Sequence, residues 1–328
     1  MAQHSKILVT GGCGYIGSHV VRRLSEAGKK VVVIDDLSTG FRDALLHGEE
    51  LVEGSFGDEA ILRKVFEKHS FDAALHFAAS AALPESLADP LKYYENNVAN
   101  TVHLLKALQR GNVSRLVFSS TGSLYGDEAP TPTPETFEPK PSNPYSRSKR
   151  VCEWMVEDLS RASGIRHVIL RYFNVAGADP KGRNGQRTAQ ATHLVKIAAE
   201  LATGKRNEIA ITGTDFDTPD GTGIRDYIHV EDLASAHVDA LNYLERGGAS
   251  TTLNAGYGHG FSVREVLAAL GRVMGKTFPA KEAPRRPGDI ASSVADSRKI
   301  RETLGWKPQF DDIEEILRTA IAFEKQLK

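Results

Sequence analysis

The 328-residue sequence predicts an α/β fold, a doubly wound parallel sheet with a smaller mixed α/β lobe. Three observations lead there. Short β-branched runs alternate with amphipathic stretches through the first half of the chain. A cluster of glycines marks the first passage from run to stretch. The rhythm then breaks after about residue 177. At about 150 residues per domain, the length fits two domains.

Ile7-Leu8-Val9-Thr10 reads as the first strand, and 16–27 as a helix ended by Gly28. Val31-Val32-Val33-Ile34 is apolar on both faces, as a buried parallel strand should be. Leu51-Val52-Glu53, Ala73-Ala74-Leu75-His76-Phe77, Leu116-Val117-Phe118-Ser119 and His167-Val168-Ile169-Leu170 continue the series. Helices are expected between them over 60–69, 97–110 and 145–162. Residues 178–190 carry Gly, Asp, Lys and Arg without apolar period and read as a long surface loop. Beyond it the pattern predicts a helix over 192–203, a strand over 209–212 and a polar loop over 213–223. Helices follow over 231–244, 262–274 and 313–325, with an irregular connection at 284–287. The expected division is 1–177 for the sheet domain, with 225–258 returning to it, and 178–328 for a substrate-binding lobe.

Composition narrows the partners. Hydrophobic residues make up 41% and charged residues 25%, which excludes disorder, collagen and a small disulfide scaffold. With 41 Lys and Arg against 42 Asp and Glu, the net charge of −1 leaves no bulk field to attract nucleic acid or an anionic membrane. Any anionic ligand must meet a local cluster of cations. Cys13 and Cys152 belong to no metal or redox motif, and the 11 histidines lack ligand spacing, so no metal site is expected. The polar start over 1–6 and the lack of a long apolar stretch fit a cytoplasmic protein.

Gly11-Gly12-Cys13-Gly14-Tyr15-Ile16-Gly17 lies where the first strand becomes the first helix. Glycines there let the backbone turn tightly, approach a pyrophosphate and aim helix N–H groups at its charge. Asp35 ends the second strand about 20 residues on, where a carboxylate accepts hydrogen bonds from an adenosine ribose and repels a 2′-phosphate. Asp36 could share or take over that role. Together they point to a Rossmann dinucleotide site that prefers NAD to NADP.

Asn143-Pro144 reads as a cap and a first-turn proline opening a helix. Tyr145 and Lys149 are then four residues apart on one helix face, able to meet a common ligand. A free phenol, with pKa near 10, is a poor base at neutral pH; a neighbouring ammonium favours its phenolate. Ser119-Ser120-Thr121 ends an upstream strand at the sheet edge, where a hydroxyl can reach the same substrate oxygen.

These residues resemble the extended short-chain dehydrogenase/reductase family over nearly the whole chain, and within it the 4-epimerases of UDP-sugars. Matching stretches are Val9-Thr10-Gly11-Gly12-Cys13-Gly14-Tyr15-Ile16-Gly17-Ser18-His19, Leu75-His76-Phe77-Ala78-Ala79, Tyr93-Tyr94-Glu95-Asn96-Asn97 and Arg171-Tyr172-Phe173-Asn174. Two more, Gly221-Thr222-Gly223-Ile224-Arg225-Asp226-Tyr227-Ile228-His229-Val230 and Ala283-Pro284-Arg285-Arg286-Pro287-Gly288-Asp289, are the more specific to the epimerases. The resemblance implies interconversion of UDP-glucose and UDP-galactose through transient oxidation at C4 by tightly bound NAD, in a homodimer. It implies catalytic roles for Tyr145, Lys149 and Thr121. It places Gly11, Gly14, Tyr15, Ile16, Gly17, Asp35, Asp36, Ser55, Phe56, Phe77, Ala78, Asn97, Tyr145, Lys149 and Tyr172 at the cofactor. Thr121, Tyr145, Asn174, His193, Leu194, Arg225, Arg286 and Asp289 fall to the substrate, with His193 equally readable as a helix cap.

Three departures stand out. Ser55 replaces an acid that binds adenine in relatives, and Ala81 replaces a lysine near the cofactor, so weaker NAD retention is expected. Ser293, four residues past Asp289, is small where relatives use bulk against a 2-acetamido group, so UDP-N-acetylhexosamines are expected as further substrates. The rivals on this fold are a nucleotide-sugar dehydratase, a net dehydrogenase and a non-catalytic NAD-sensing or scaffold protein, which would have no need of Thr121, Tyr145 and Lys149. Dehydratases carry Asp-Glu directly after the catalytic threonine, and here Gly122-Ser123 follow it.

Overall fold

The computed structural model describes residues 6–188, 192–286 and 288–327. The polar start over 1–5, the last residues of the expected surface loop, 189–190, and Pro287 of the 283–289 motif lie outside them. The chain forms two compact units. The first comprises Met1–Leu124, Pro141–Arg171 and Ala234–Leu253, and the second Tyr125–Lys140, Tyr172–Leu233 and Asn254–Lys328.

The first unit is built on a seven-stranded sheet. Its strands are β1 (Lys6–Thr10), β2 (Lys30–Asp35), β3 (Glu50–Glu53), β4 (Ala73–His76), β5 (Arg115–Thr121), β6 (Arg166–Tyr172) and a last one at Thr251–Ala255. In space they run Thr251–Ala255, β6, β5, β4, β1, β2, β3. β1 pairs in parallel with both β2 and β4, so the order reverses there and opens a crevice at the strand carboxyl ends. Leu8, Val32, Ile34, Leu116, Phe118 and Ile169 from the sheet pack with Leu62, Leu104, Leu108 and Val156 from helices in one buried core. Burial on both faces explains why the strands read as unbroken apolar runs.

The predicted strands are found within two residues of their ends. Two features differ. The expected helix over 97–110 begins only at Asn100, after short helices Leu83–Ala88 and Pro90–Tyr93 and a π-helical turn, Tyr94–Ala99. The Asn97 carbonyl accepts from Thr101 Oγ1 (2.5 Å) and Cys152 Sγ (3.0 Å), which diverts it from the regular helical ladder. The strand Thr251–Ala255 escaped notice because its two leading threonines break the apolar run; the helix before it, Val230–Glu245, carries the chain back to the sheet.

The second unit is assembled from small sheets. Asn174–Ala176 pairs in parallel with Tyr227–His229, and Ile209–Thr212 with Ala280–Ala283. Ile224–Arg225 lies between Phe261–Ser262 and Ser292–Ser293. Helices Leu194–Ala202, Val263–Met274 and Ile313–Glu324 pack together beside them. No helix among the described residues is long and apolar enough to cross a membrane.

Candidate active site

The glycine loop has the geometry a dinucleotide needs. Gly11 sits at φ +74°, and a Cβ there would lie 2.5 Å from the Ala78 amide nitrogen. A Cβ on Gly17 would come within 2.1 Å of Gly11 O, whereas on Gly14 it would meet only that oxygen, at 3.4 Å. Gly14 is the N-cap of the helix Tyr15–Glu26, with no side chain capping it. A glycine at the cap leaves the approach to the helix start clear of any side chain, an arrangement suited to pyrophosphate.

Asp35, at the end of β2, is buried and accepts from Cys13 N (2.8 Å) and Leu37 N (2.9 Å). Burial raises its carboxyl above the usual range, while those two N–H bonds pull the other way. Asp36 is exposed and takes the N–H and hydroxyl of Ser38. The inner acid therefore fixes the loop at the end of β2, and the outer one folds its own turn. An uncapped helix start, glycines that a Cβ would spoil and a buried acid fit NAD.

The predicted cap at Asn143 is present. Its side chain accepts from Ser146 N (2.9 Å) and Ser146 Oγ answers to the Asn143 backbone, with Pro144 in the first turn. This starts the helix Pro144–Ser163, which carries Tyr145 and Lys149 one turn apart. Lys149 is buried and lies over the Phe118 ring of β5, 4.3 Å from its centroid. Burial lowers its pKa to about 8, with Cys152 and Glu153 opposing the fall. Thr121 closes β5, and its Oγ1 donates to Ser123 Oγ (3.1 Å) and accepts from Ser123 N (3.2 Å).

Several of the expected cofactor residues also make bonds within the frame. Asn97, expected at the cofactor, bonds through its amide to Ser80 N (2.8 Å), Ser80 O (3.0 Å) and Ser148 Oγ (3.0 Å), so it ties the segment after β4 to the helix Pro144–Ser163. The Phe56 ring turns into the core against His76, centroids 4.9 Å apart. Ser55 Oγ accepts from Gly57 N (3.2 Å). Ala78 N bonds to Thr10 O (3.1 Å), and the Phe77 ring leans on His237, 4.8 Å away. Ala81 is exposed.

The expected substrate residues other than Thr121 and Tyr145 all belong to the second unit, as does Tyr172. Arg225, part of the strand Ile224–Arg225, donates to Ile224 O (2.8 Å); burial lowers its pKa, with Tyr227 and Asp289 opposing. Arg286 Nε pairs with Asp289 (3.0 Å) and its charge acts on both Arg225 and His193. Arg225, Arg286, Asp289 and His193 thus share one electrostatic neighbourhood. Asn174 gives its backbone N–H to Asp226 O (3.0 Å). His193 occupies the N-cap position before Leu194 but makes no side-chain cap; its Nδ1 lies 3.2 Å from Gln186 Nε2.

Sequence reasoning missed Tyr93 and Asp226 as site supports. Tyr93 is wholly buried and meets the Tyr145 ring edge-on. Asp226, next to Arg225, collects N–H groups from Tyr257, Gly258 and Ala295, and burial pushes its pKa to about 6. Both lay in quoted motifs, yet only the fold shows what they hold.

Comparison with known proteins follows the same lines. Residues 7–256 match the model of the NAD dependent epimerase/dehydratase family. A UDP-glucose 4-epimerase from Azospirillum brasilense is 51% identical over 327 residues, covering 100% of this chain and 94% of that protein. The crystal structure of UDP-glucose 4-epimerase from Brucella ovis in complex with NAD superimposes with a TM-score of 0.94 at 41% identity, over 98% of each chain. The UDP-Glc/GlcNAc 4-epimerase of Campylobacter jejuni does so at 0.85 and 45% identity, over 98% of this chain and 99% of that one.

Proposed function

Because the chain belongs to the NAD dependent epimerase/dehydratase family, we propose that it interconverts UDP-glucose and UDP-galactose at carbon 4 of the hexose. When bound, NAD supplies a reversible hydride acceptor for that carbon. Tyr145 phenolate takes the proton from the 4-hydroxyl and later returns it. Lys149 ammonium, buried in the same helix face, favours that phenolate and holds the cofactor's ribose. Thr121 hydroxyl bonds the substrate oxygen, exchanging its partner Ser123 for the sugar. Arg225 and Arg286 meet the diphosphate, where a guanidinium can pair two-pronged with phosphate oxygens.

The observation that carries this reading is the capped helix that holds Tyr145 and a buried Lys149 one turn apart, with Lys149 over the strand that ends in Thr121. The test is incubation of the purified protein with UDP-galactose and no added nicotinamide. UDP-glucose forms if the reading is right; accumulation of NADH or of a dehydrated sugar would refute it. The dehydratase alternative lacks its acid and base, since Gly122-Ser123 follow Thr121.

The substrate range extends to UDP-N-acetylhexosamines. Ser293 is the register partner of Arg225 in the small sheet, so a short side chain stands beside a diphosphate-binding arginine. The similarity to the Campylobacter jejuni enzyme supports the same extension.

The protein acts as a cytoplasmic homodimer in this reading. Leu87, Leu91 and Trp154 are 49%, 73% and 49% exposed on three helices that pack together, Leu83–Ala88, Pro90–Tyr93 and Pro144–Ser163. A second copy of the chain would cover them. The two cysteines are free and buried, which suits a reducing compartment.

A further inference from the structure

Arg171 belongs to a motif quoted above, yet the reaction as described gives it no task. It is almost fully buried on β6, and it grips Glu153 through Nε (2.9 Å) and Nη2 (2.7 Å). Glu153 has no exposed surface. Its Oε1 also accepts from Ser120 Oγ (2.6 Å), and its Oε2 from Arg150 Nη1 (2.9 Å). Four donors from two strands and one helix converge on a single carboxylate.

The placement of those donors matters. Ser120 directly precedes Thr121 on β5. Glu153 lies one turn beyond Lys149 and two turns beyond Tyr145, on the same face of their helix. One side chain therefore joins the strand bearing the short hydroxyl to the helix bearing the phenol and the amine.

We propose that Glu153 is a positioning residue, which sets the register of the Tyr145–Lys149 helix against the strand ending in Thr121 and keeps a negative charge beneath Lys149. This rests on the epimerase reading for its kinetic consequence only.

Energetics favour a task beyond stability. Burying a carboxylate and a guanidinium costs several kcal/mol per ion, and a well-packed apolar pair is often at least as stable. Apolar contact, however, is non-directional and lets a helix slide. A carboxylate with four directed bonds does not.

Lys149 forms no ion pair among the described residues, and its ammonium lies over the Phe118 ring, 4.3 Å from the centroid. From its own helix Cys152 and then Glu153 favour its charged form, against the larger effect of burial. His76 of β4 also feels the Lys149 charge and, deeply buried, is held neutral well below the usual histidine range. Arg150 and Arg171 add cations through Glu153. Without the carboxylate, three positive groups would face one another around one helix.

Two variants separate register from charge. Ser120→Ala removes one directed bond and keeps the charge; kcat for UDP-galactose is expected to fall about tenfold, with KM and NAD content unchanged. Glu153→Gln removes the charge; the Lys149 titration is expected to move down by about one pH unit. That titration is followed by NMR of 13Cε-lysine protein, with Lys149→Arg as the assignment blank, and needs no substrate. An unmoved Lys149 midpoint in Glu153→Gln, or wild-type kcat in Ser120→Ala, would overturn the proposal. If Glu153→Gln does not fold, Ser120→Ala alone decides. A wild-type protein inactive on UDP-sugars whose Lys149 midpoint still moves would refute the epimerase reading and leave Glu153 its role.

Discussion

The ring of Tyr93 meets that of Tyr145 edge-on, with centroids 6.3 Å apart and planes at 80°. Tyr93 is held in place, because its hydroxyl proton is shared between Ala82 O (2.6 Å) and Glu85 Oε2 (2.9 Å). Burial keeps that phenol protonated, far from the titration that Tyr145 must undergo. In the proposed reaction two tyrosines in contact thus take opposite tasks: one is a wall, the other a proton carrier.

Tyr145→Phe keeps the wall contact and removes only the carrier. Turnover of UDP-galactose should drop by about a thousandfold, with NAD content and melting temperature retained. Tyr93→Leu should cost about tenfold in kcat through loss of the edge contact and its fixed geometry. Equal losses in the two variants would contradict the assignment.

Lys149 should depress stability near neutral pH. Its pKa is about 8 in the folded chain against an ordinary 10.5. Between those values the unfolded chain binds the extra proton, so stability rises with pH through that window and is lowest below it. Lys149→Met should therefore stabilise the fold at pH 7 by on the order of 2 kcal/mol while abolishing turnover. Thermal melts at pH 7 and above pH 10.5 should show that advantage, then its disappearance. Wild-type turnover should itself decline above about pH 8 as the ammonium is lost.

The two glycines of the loop should fail differently. At Gly17 a methyl would strike Gly11 O at 2.1 Å, so Gly17→Ala should destabilise the fold by about 2 kcal/mol or more. At Gly14 the nearest atom is 3.4 Å away, so Gly14→Ala should melt like the wild type yet bind NAD at least tenfold more weakly. Calorimetry on both variants distinguishes a packing fault from a filled cradle.

NAD should leave this protein more readily than it leaves relatives with an acid at residue 55. Ser55 already gives its oxygen to Gly57 N, and Ala81 offers no cation. Cofactor measured per subunit after gel filtration should fall below one, and Ser55→Asp should raise it. Full occupancy in the unaltered protein would count against the idea.

Ser293→Tyr should abolish turnover of UDP-N-acetylglucosamine by steric bulk while leaving UDP-galactose turnover within about threefold, since one bulky side chain can discriminate by a few kcal/mol. Equal losses with both sugars would show that the side chain merely disturbs Arg225, its strand neighbour.

Much of the fold was legible because the sheet is buried on both faces. Runs such as Val31-Val32-Val33-Ile34 announce strands of that kind, and glycines, Asn143 and Pro144 punctuate the helices between them. The return strand Thr251–Ala255 was illegible at that scale, its partners lying about 80 residues away on β6. At the candidate site, the placement of Tyr145 and Lys149 one helical turn apart and of Asp35 at the end of β2 was legible, because it depends on local spacing. The tasks of Asn97, Tyr93 and Glu153 were not. Asn97 serves Ser148 from 51 positions away, and Glu153 answers to Arg171 across 18. Such roles are set by which segments the fold makes neighbours, and no local period encodes them.

The seventh strand of the sheet arrives late. A nascent chain that has emerged through β6 already carries the glycine loop, Thr121, Tyr145 and Lys149, yet β6 still lacks its outer neighbour until residue 255 has been synthesised. In that interval an unpaired strand edge stands ready to join another chain. A chain halted with β6 only just clear of the ribosome would thus expose the proposed catalytic groups on a sticky, unfinished sheet, a liability ended only once residue 255 has emerged as well.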